Sequence, residues 1–95
     1  MNGFEWDEAK SERNRRKHGV GFEEAVSAFE DPNRVEGFDE GHSQSEARHF
    51  IIGFSHKGRL LFLAFTLRGR TTRIIHARPA EPRWRRVYEK ENRGR

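Results

Sequence analysis

The stretch HFIIGFSHKGRLLFLAFTLRGRTTRIIHAR, His49 to Arg78, decides the fold. Phe50, Ile52 and Phe54 alternate with His49, Ile51 and Gly53, the period of a strand. His56-Lys57-Gly58 reads as a turn. Leu60 to Leu67 is apolar almost throughout, as expected of a central strand buried on both faces. Arg68-Gly69-Arg70 is a second turn, and Thr71 to Arg78 a third strand. Turns this short join neighbouring strands, so the segment predicts an antiparallel meander.

The third strand also carries chemistry. Strict alternation places Thr72, Ile74, His76 and Arg78 on one face and Arg73, Ile75 and Ala77 on the other. An imidazole and a guanidinium then stand side by side at the strand end. A guanidinium grips phosphate as a fork, and an imidazole moves protons near neutral pH. The pair points to a phosphodiester.

Upstream, Phe4-Glu5-Trp6-Asp7 reads as a short strand leading to a helix from Glu8 to Lys17. Asp7 serves as its N-cap and Gly19 as its left-handed stop. Ala9 is the only apolar residue of that helix, so it is solvated or docked on something charged. Phe22, Ala25, Val26 and Phe29 form one helical stripe ending at Asp31-Pro32, with Val20 as a staple and Glu24 in the capping-box position. A strand is expected over 33–38 and an exposed loop over 39–47. Pro79 and Pro82 break the sheet and start a last helix with the stripe Trp84, Val87 and Tyr88. The expected order is β-α-α-β-β-β-β-α, an α+β chain with a small antiparallel sheet, one domain over 1–95.

Composition bounds the function. Hydrophobic residues make up 33% of the chain and charged ones 36%, so the core must be small and concentrated in the patterned segments. Without cysteine there is no disulfide or thiolate metal site. No apolar run approaches a membrane span or signal peptide, so a cytoplasmic protein without membrane attachment is expected. Residues 19–47 hold one Arg against eight acids, whereas 57–95 hold twelve Lys and Arg against three. A further cationic cluster comprises Lys10, Arg13, Arg15, Arg16 and Lys17. Such a divided field suits a polyanion, and nucleic acid fits best.

Together these segments resemble the BrnT family of toxins of type II toxin–antitoxin systems. The resemblance lies in Phe4-Glu5-Trp6-Asp7 with Lys10 and Asn14, and in Lys17-His18-Gly19-Val20 followed by Phe22-Glu23-Glu24-Ala25. It continues in Asp31-Pro32, Glu46 and Arg48, Ile51-Ile52-Gly53, Gly58-Arg59-Leu60-Leu61, and Arg73-Ile74-Ile75 with Ala77-Arg78. It implies a RelE-like fold and a metal-independent endoribonuclease that inhibits translation. A BrnA-like DNA-binding antitoxin would neutralise it, in a 2:2 complex that binds operator DNA. A serine is frequent in relatives where Gly21 and His76 stand here.

The residues fit that chemistry in their own right. RNA cleavage without a metal needs cations aimed at the phosphate and groups that move protons. Arg48, Arg78 and Arg73 can supply the first; His76, His49, Glu46 or Tyr88 the second. Arg48, Arg78, His76 and Glu46 are the expected catalytic residues, with Arg73, Arg59, Lys10, Lys17 and His18 on the RNA. Arg59 is also read as a partner of Glu46 or Asp39, and His18 as a cation on a helix C-terminus. No His-x-x-x-His or Asp-x-Asp pattern occurs, so neither a metal nor another cofactor is expected. The antitoxin is expected to lay an acidic or amphipathic segment over the two basic helices, gripping Trp84, Val87 and Tyr88. Two other readings stay open: a nucleic-acid-binding module without catalysis, and a toxin of the same fold acting on a non-RNA target such as a topoisomerase.

Overall fold

The apolar run at 60–67 becomes the middle of a five-stranded sheet. In the computed structural model, which describes residues 3–42 and 46–94, the elements follow the expected order. They are β1 (Phe4–Glu5), α1 (Glu8–His18), α2 (Phe22–Ser27) continued by a 3-10 turn (Ala28–Glu30), and β2 (Val35–Phe38). A second 3-10 turn (Glu40–His42), β3 (His49–Phe54), β4 (Leu60–Arg68), β5 (Thr71–Pro79) and α3 (Pro82–Glu91) complete the chain. The expected loop at 39–47 thus begins as a helical turn, and residues 43–45 lie outside the described residues. Strand order is β1-β5-β4-β3-β2.

β4 is buried on both faces because each face has its own helical cover. Leu61, Leu63 and Phe65 join Ile51, Ile74 and Ala77 under Val20, Phe22, Ala25 and Ala28 of the α1–α2 layer. Leu60 and Phe62 join Ile52 under Tyr88 of α3, with Phe50, Trp84 and Val87 packed alongside. The α2 layer sits unusually close to the sheet. A Cβ on Gly53 would stand 2.8 Å from the Ala28 carbonyl oxygen, so only glycine fits there.

The stripe Trp84-Val87-Tyr88 therefore faces the sheet, which corrects its expected role as a grip for a partner. The Tyr88 hydroxyl donates to Asp31 Oδ2 at 2.7 Å. Burial first, and then this carboxylate, push the phenol up to about 12. Tyr88 thus anchors α3 to Asp31 and to the sheet.

The sheet is mixed, not purely antiparallel. β1 runs parallel to β5, pairing Phe4 with Thr72 and Glu5 with Arg73. This direction delivers α1 alongside the remaining, unpaired edge of β5. There the Asn14 carboxamide stands in for the missing strand. Its Nδ2 donates to Ala77 O and Val20 O, each at 2.7 Å, and its Oδ1 accepts from Ala77 N at 3.4 Å. Asn14 is the buried residue of an otherwise polar helix, and these bonds satisfy it.

A second correction concerns β5. The partner of Ala64 is His76 but that of Phe65 is Ile74, so β5 carries one extra residue at Ile75. This bulge interrupts the alternation. Ile74 shares the α1–α2 core with Ala77, while His76 and Arg78 point to the other face.

Candidate active site

On the α3 face of the sheet, Ala64 follows the bulky Phe62 and leaves a depression. The resulting open cleft holds about 580 Å³. Its floor is Phe50, Phe62 and Ala64. Ile75, His76 and Arg78 of β5 form one wall, and Arg83 and Trp84 of α3 close one end. Arg48 lies opposite, with Phe38, Asp39 and Glu40 on the rim.

Arg78 is fixed on three sides. Its Nη1 donates to His76 Nε2 at 2.9 Å, and its Nη2 donates to Glu81 Oε1 at 3.1 Å. Its guanidinium carbon lies 4.6 Å from the centre of the Phe62 ring. Because a guanidinium only donates, His76 Nε2 must be unprotonated and the ring proton must sit on Nδ1. Burial, and then the charges of Arg78, His18, Arg48 and Lys17, pull His76 down to about 4. The imidazole is thus a neutral acceptor inside a cationic cleft. The His18 ring meets it edge-on at 5.0 Å. Burial and then Lys17 and Arg78 lower His18 as well.

A second, shallower depression adjoins across the edge of β5. Lys10, Arg13, Asn14, Lys17 and His18 of α1 line it, and it shares Ile75 and His76 with the cleft. The structure thus gathers Arg48, His76 and Arg78 in one place and sets Lys10, Lys17 and His18 beside it.

The other expected site residues lie elsewhere. Glu46 receives both arms of Arg68, at 3.0 and 3.1 Å, and does not line the cleft. Arg73 is paired with Glu5 at 2.8 Å. His49 stacks on Phe65, on the opposite side of the sheet from the cleft. Arg59 pairs with neither Glu46 nor Asp39. It grips Glu24, which also accepts from Ser55 Oγ at 2.7 Å, and it donates to Gly19 O at 2.8 Å. Glu24 is therefore a buried tether to the sheet instead of a capping-box acid. The cap of α2 comes from Ser11, whose Oγ accepts from Phe22 N at 2.9 Å.

Sequence reasoning missed Glu81, Arg83 and the rim at 38–40. The spacing Arg78-x-x-Glu81 just before a helix-starting proline was the available signal for Glu81. Nothing local marks the rim, because it belongs to a strand end separated from the meander by a loop.

Comparison with known proteins agrees with this architecture. Residues 6–83 match the family model described as "Ribonuclease toxin, BrnT, of type II toxin-antitoxin system". The fold is similar to the crystal structure of the Brucella abortus ribonuclease toxin BrnT, with a TM-score of 0.58 at 23% identity. That match covers 85% of this chain and 99% of the Brucella chain. No curated protein matches the sequence.

Proposed function

The chain belongs to the BrnT family of ribonuclease toxins of type II toxin–antitoxin systems, and on that premise we propose that it is a metal-independent endoribonuclease of RelE-like type working in the cleft of Arg48, His76 and Arg78. The observation that carries this reading is the Arg78 guanidinium, held between His76 and Glu81 beside a second arginine.

The reaction that fits is attack by the ribose 2′-oxygen on the neighbouring phosphorus. Arg48 and Arg78 face the charge that builds on the non-bridging oxygens, where fixed cations lower the barrier. When Arg78 turns its fork to the phosphate, His76 Nε2 is left to accept the 2′-hydroxyl proton. The P–O5′ bond breaks and the departing oxygen takes a proton from water. The products are a 2′,3′-cyclic phosphate and a 5′-hydroxyl. Messenger cleaved in this way would no longer be translated.

Cleavage is expected to persist in EDTA and to leave cyclic or 3′-phosphate ends. Loss in chelator with recovery on adding a divalent metal would overturn the mechanism. Inhibition of a topoisomerase without RNA cleavage would favour the alternative target, and RNA binding without cleavage a plain binding module. The pH profile tests His76. A base must be unprotonated, so kcat/KM should fall only as pH drops through about 4, the value of the free site, and stay flat to neutrality. His76→Ala should remove that acid limb. A variant with a near-normal rate and an unchanged limb would take the imidazole out of the proton path.

The neutralising partner is then a BrnA-like, DNA-binding antitoxin with an acidic segment that covers the cleft and the α1 cations, Lys10, Arg13 and Lys17. Two toxins and two antitoxins would assemble on operator DNA. A co-expressed pair whose native mass is that of a one-to-one heterodimer would refute this stoichiometry.

A further inference from the structure

Lys10, Arg13 and Lys17 fall at i, i+3 and i+7 of α1, on the helix face that carries Asn14. Asn14 clamps that face to the free edge of β5 at Ala77. The three cations therefore stand in a row beside the edge, lining a depression of about 370 Å³ that includes no carboxylate. All three are exposed, and among the described residues none is ion-paired. By contrast, Arg15, Arg34, Arg59, Arg68 and Arg73 each hold a carboxylate. Asp7 acts on Lys10 and Arg13 from the helix end, where it accepts from Lys10 N at 3.0 Å. Like charges gathered without a counter-charge repel one another, and a bound polyanion relieves that repulsion.

The row is continuous with the cleft. Ile75 and His76 line both depressions, and the charge of Lys17 is felt at His76. Ile75, the extra residue of the β5 bulge, lies at their junction. A chain that passes from one depression to the other has to turn over the edge of β5. A single strand can make that turn, whereas a duplex is stiff over so short a distance. Lys10 to Lys17 spans about 10 Å of helix axis, room for more than one phosphate. Contacts of this kind position a backbone without reading its sequence.

We propose that Lys10, Arg13 and Lys17 form a second phosphate subsite, which holds the flanking backbone of a single-stranded RNA bent over the edge of β5 while the scissile phosphate sits at Arg48 and Arg78. Nucleotides beyond the cut then add to binding and not to the chemical step. The inference rests on the ribonuclease reading for the reaction and narrows its substrate to unpaired RNA several nucleotides long.

The test uses the full chain with a dinucleotide, which reaches only the cleft, and a single-stranded hexanucleotide cut at the same step. Lys10→Gln, Arg13→Gln and Lys17→Gln together should raise KM for the hexanucleotide about tenfold and leave its kcat within about twofold. The same triple variant should keep kcat/KM for the dinucleotide within about threefold, which also reports that it is folded. The salt dependence of hexanucleotide cleavage should become shallower. Arg85→Gln with Arg86→Gln removes two exposed charges from α3 and should change either substrate by about twofold at most. The same step placed in a stable hairpin stem should be cut at least about tenfold more slowly. Equal losses for the dinucleotide and the hexanucleotide would overturn the proposal, as would a loss from the α3 pair as large as that from the α1 triple, or equal cleavage of the stem. If no RNA is cleaved, hexanucleotide binding by fluorescence anisotropy separates the two readings. Weakening by the α1 triple and not by the α3 pair would leave the subsite standing and overturn the ribonuclease reading alone, and equal weakening would overturn the subsite.

Discussion

Arg78→Ala is expected to lower kcat/KM for RNA cleavage about a hundredfold, equivalent to about 2.7 kcal/mol of transition-state stabilisation. The reason is preorganisation. Glu81 and the Phe62 ring hold the guanidinium at the cleft wall before substrate arrives, so only the arm bonded to His76 has to turn to the phosphate. Arg78→Lys should recover only part of the rate, because an ammonium keeps the charge but cannot span two acceptors as a fork. Arg48→Ala should cost about tenfold or more by the same electrostatic argument. The fold should survive Arg78→Ala, since the side chain keeps 25% of its surface exposed and lies at a cleft wall. Circular dichroism and the melting temperature check this. Cleavage within about threefold of the unaltered rate would sink the assignment of Arg78 to the phosphate.

Arg59→Ala is expected to act on stability. Its loss leaves the Glu24 carboxylate buried, with Ser55 as its remaining side-chain partner. Breaking such a pair from one side costs about 3 kcal/mol, which in a domain of this size lowers Tm by on the order of 10–20 °C. Removing both charges with Glu24→Gln and Arg59→Ala together should be milder than Arg59→Ala alone, the signature of a coupled pair. Acid provides a second check. The Arg59 hydrogen bond holds the Glu24 carboxyl below its usual range, against the opposing effect of burial and with help from Ser55. Its folded pKa is therefore depressed. The stabilisation is complete above the ordinary glutamate value of 4.5 and is lost as pH falls through the lower folded value. Denaturant midpoints of the unaltered protein should drop in that window, and the drop should shrink in Arg59→Ala. A melting temperature within about 2 °C of the parent would show that the Arg59–Glu24 pair adds nothing to the fold.

These two arginines show where reading a sequence stops. Both follow patterned segments, and both looked fit for RNA. One is fixed at a cleft and the other is spent on a carboxylate 35 positions earlier. With charged residues at 36% of the chain, each arginine has many equivalent partners in sequence, and only proximity in space selects one. Glu46 is the converse case. Its carboxylate was a candidate for proton transfer, but the approach of β4 brings Arg68 to it instead.

Strand period, turn glycines and helix boundaries are local features, and most of them were legible in the chain alone. The period of two in β3, the unbroken apolar run of β4 and the turn glycines Gly58 and Gly69, both at positive φ, specified the meander. Asp7 and Gly19 bounded α1 as expected, the first accepting from Lys10 N and the second at a φ of 76°. The family pattern and the neighbourhood of His76 and Arg78 were legible for the same reason. Only the tertiary structure decided the parallel pairing of β1, the bulge at Ile75 and the side of the sheet on which the cleft opens. The hydrophobic pattern of a strand fixes which residues alternate, but not where one strand of a pair must take up an extra residue. Here that point is set between Ala64 and Phe65 of β4, beside the edge that Asn14 of α1 clamps at Ala77. By displacing the alternation there, the bulge separates Ile74 from His76, putting the isoleucine in the core and the imidazole beside Arg78 in the cleft.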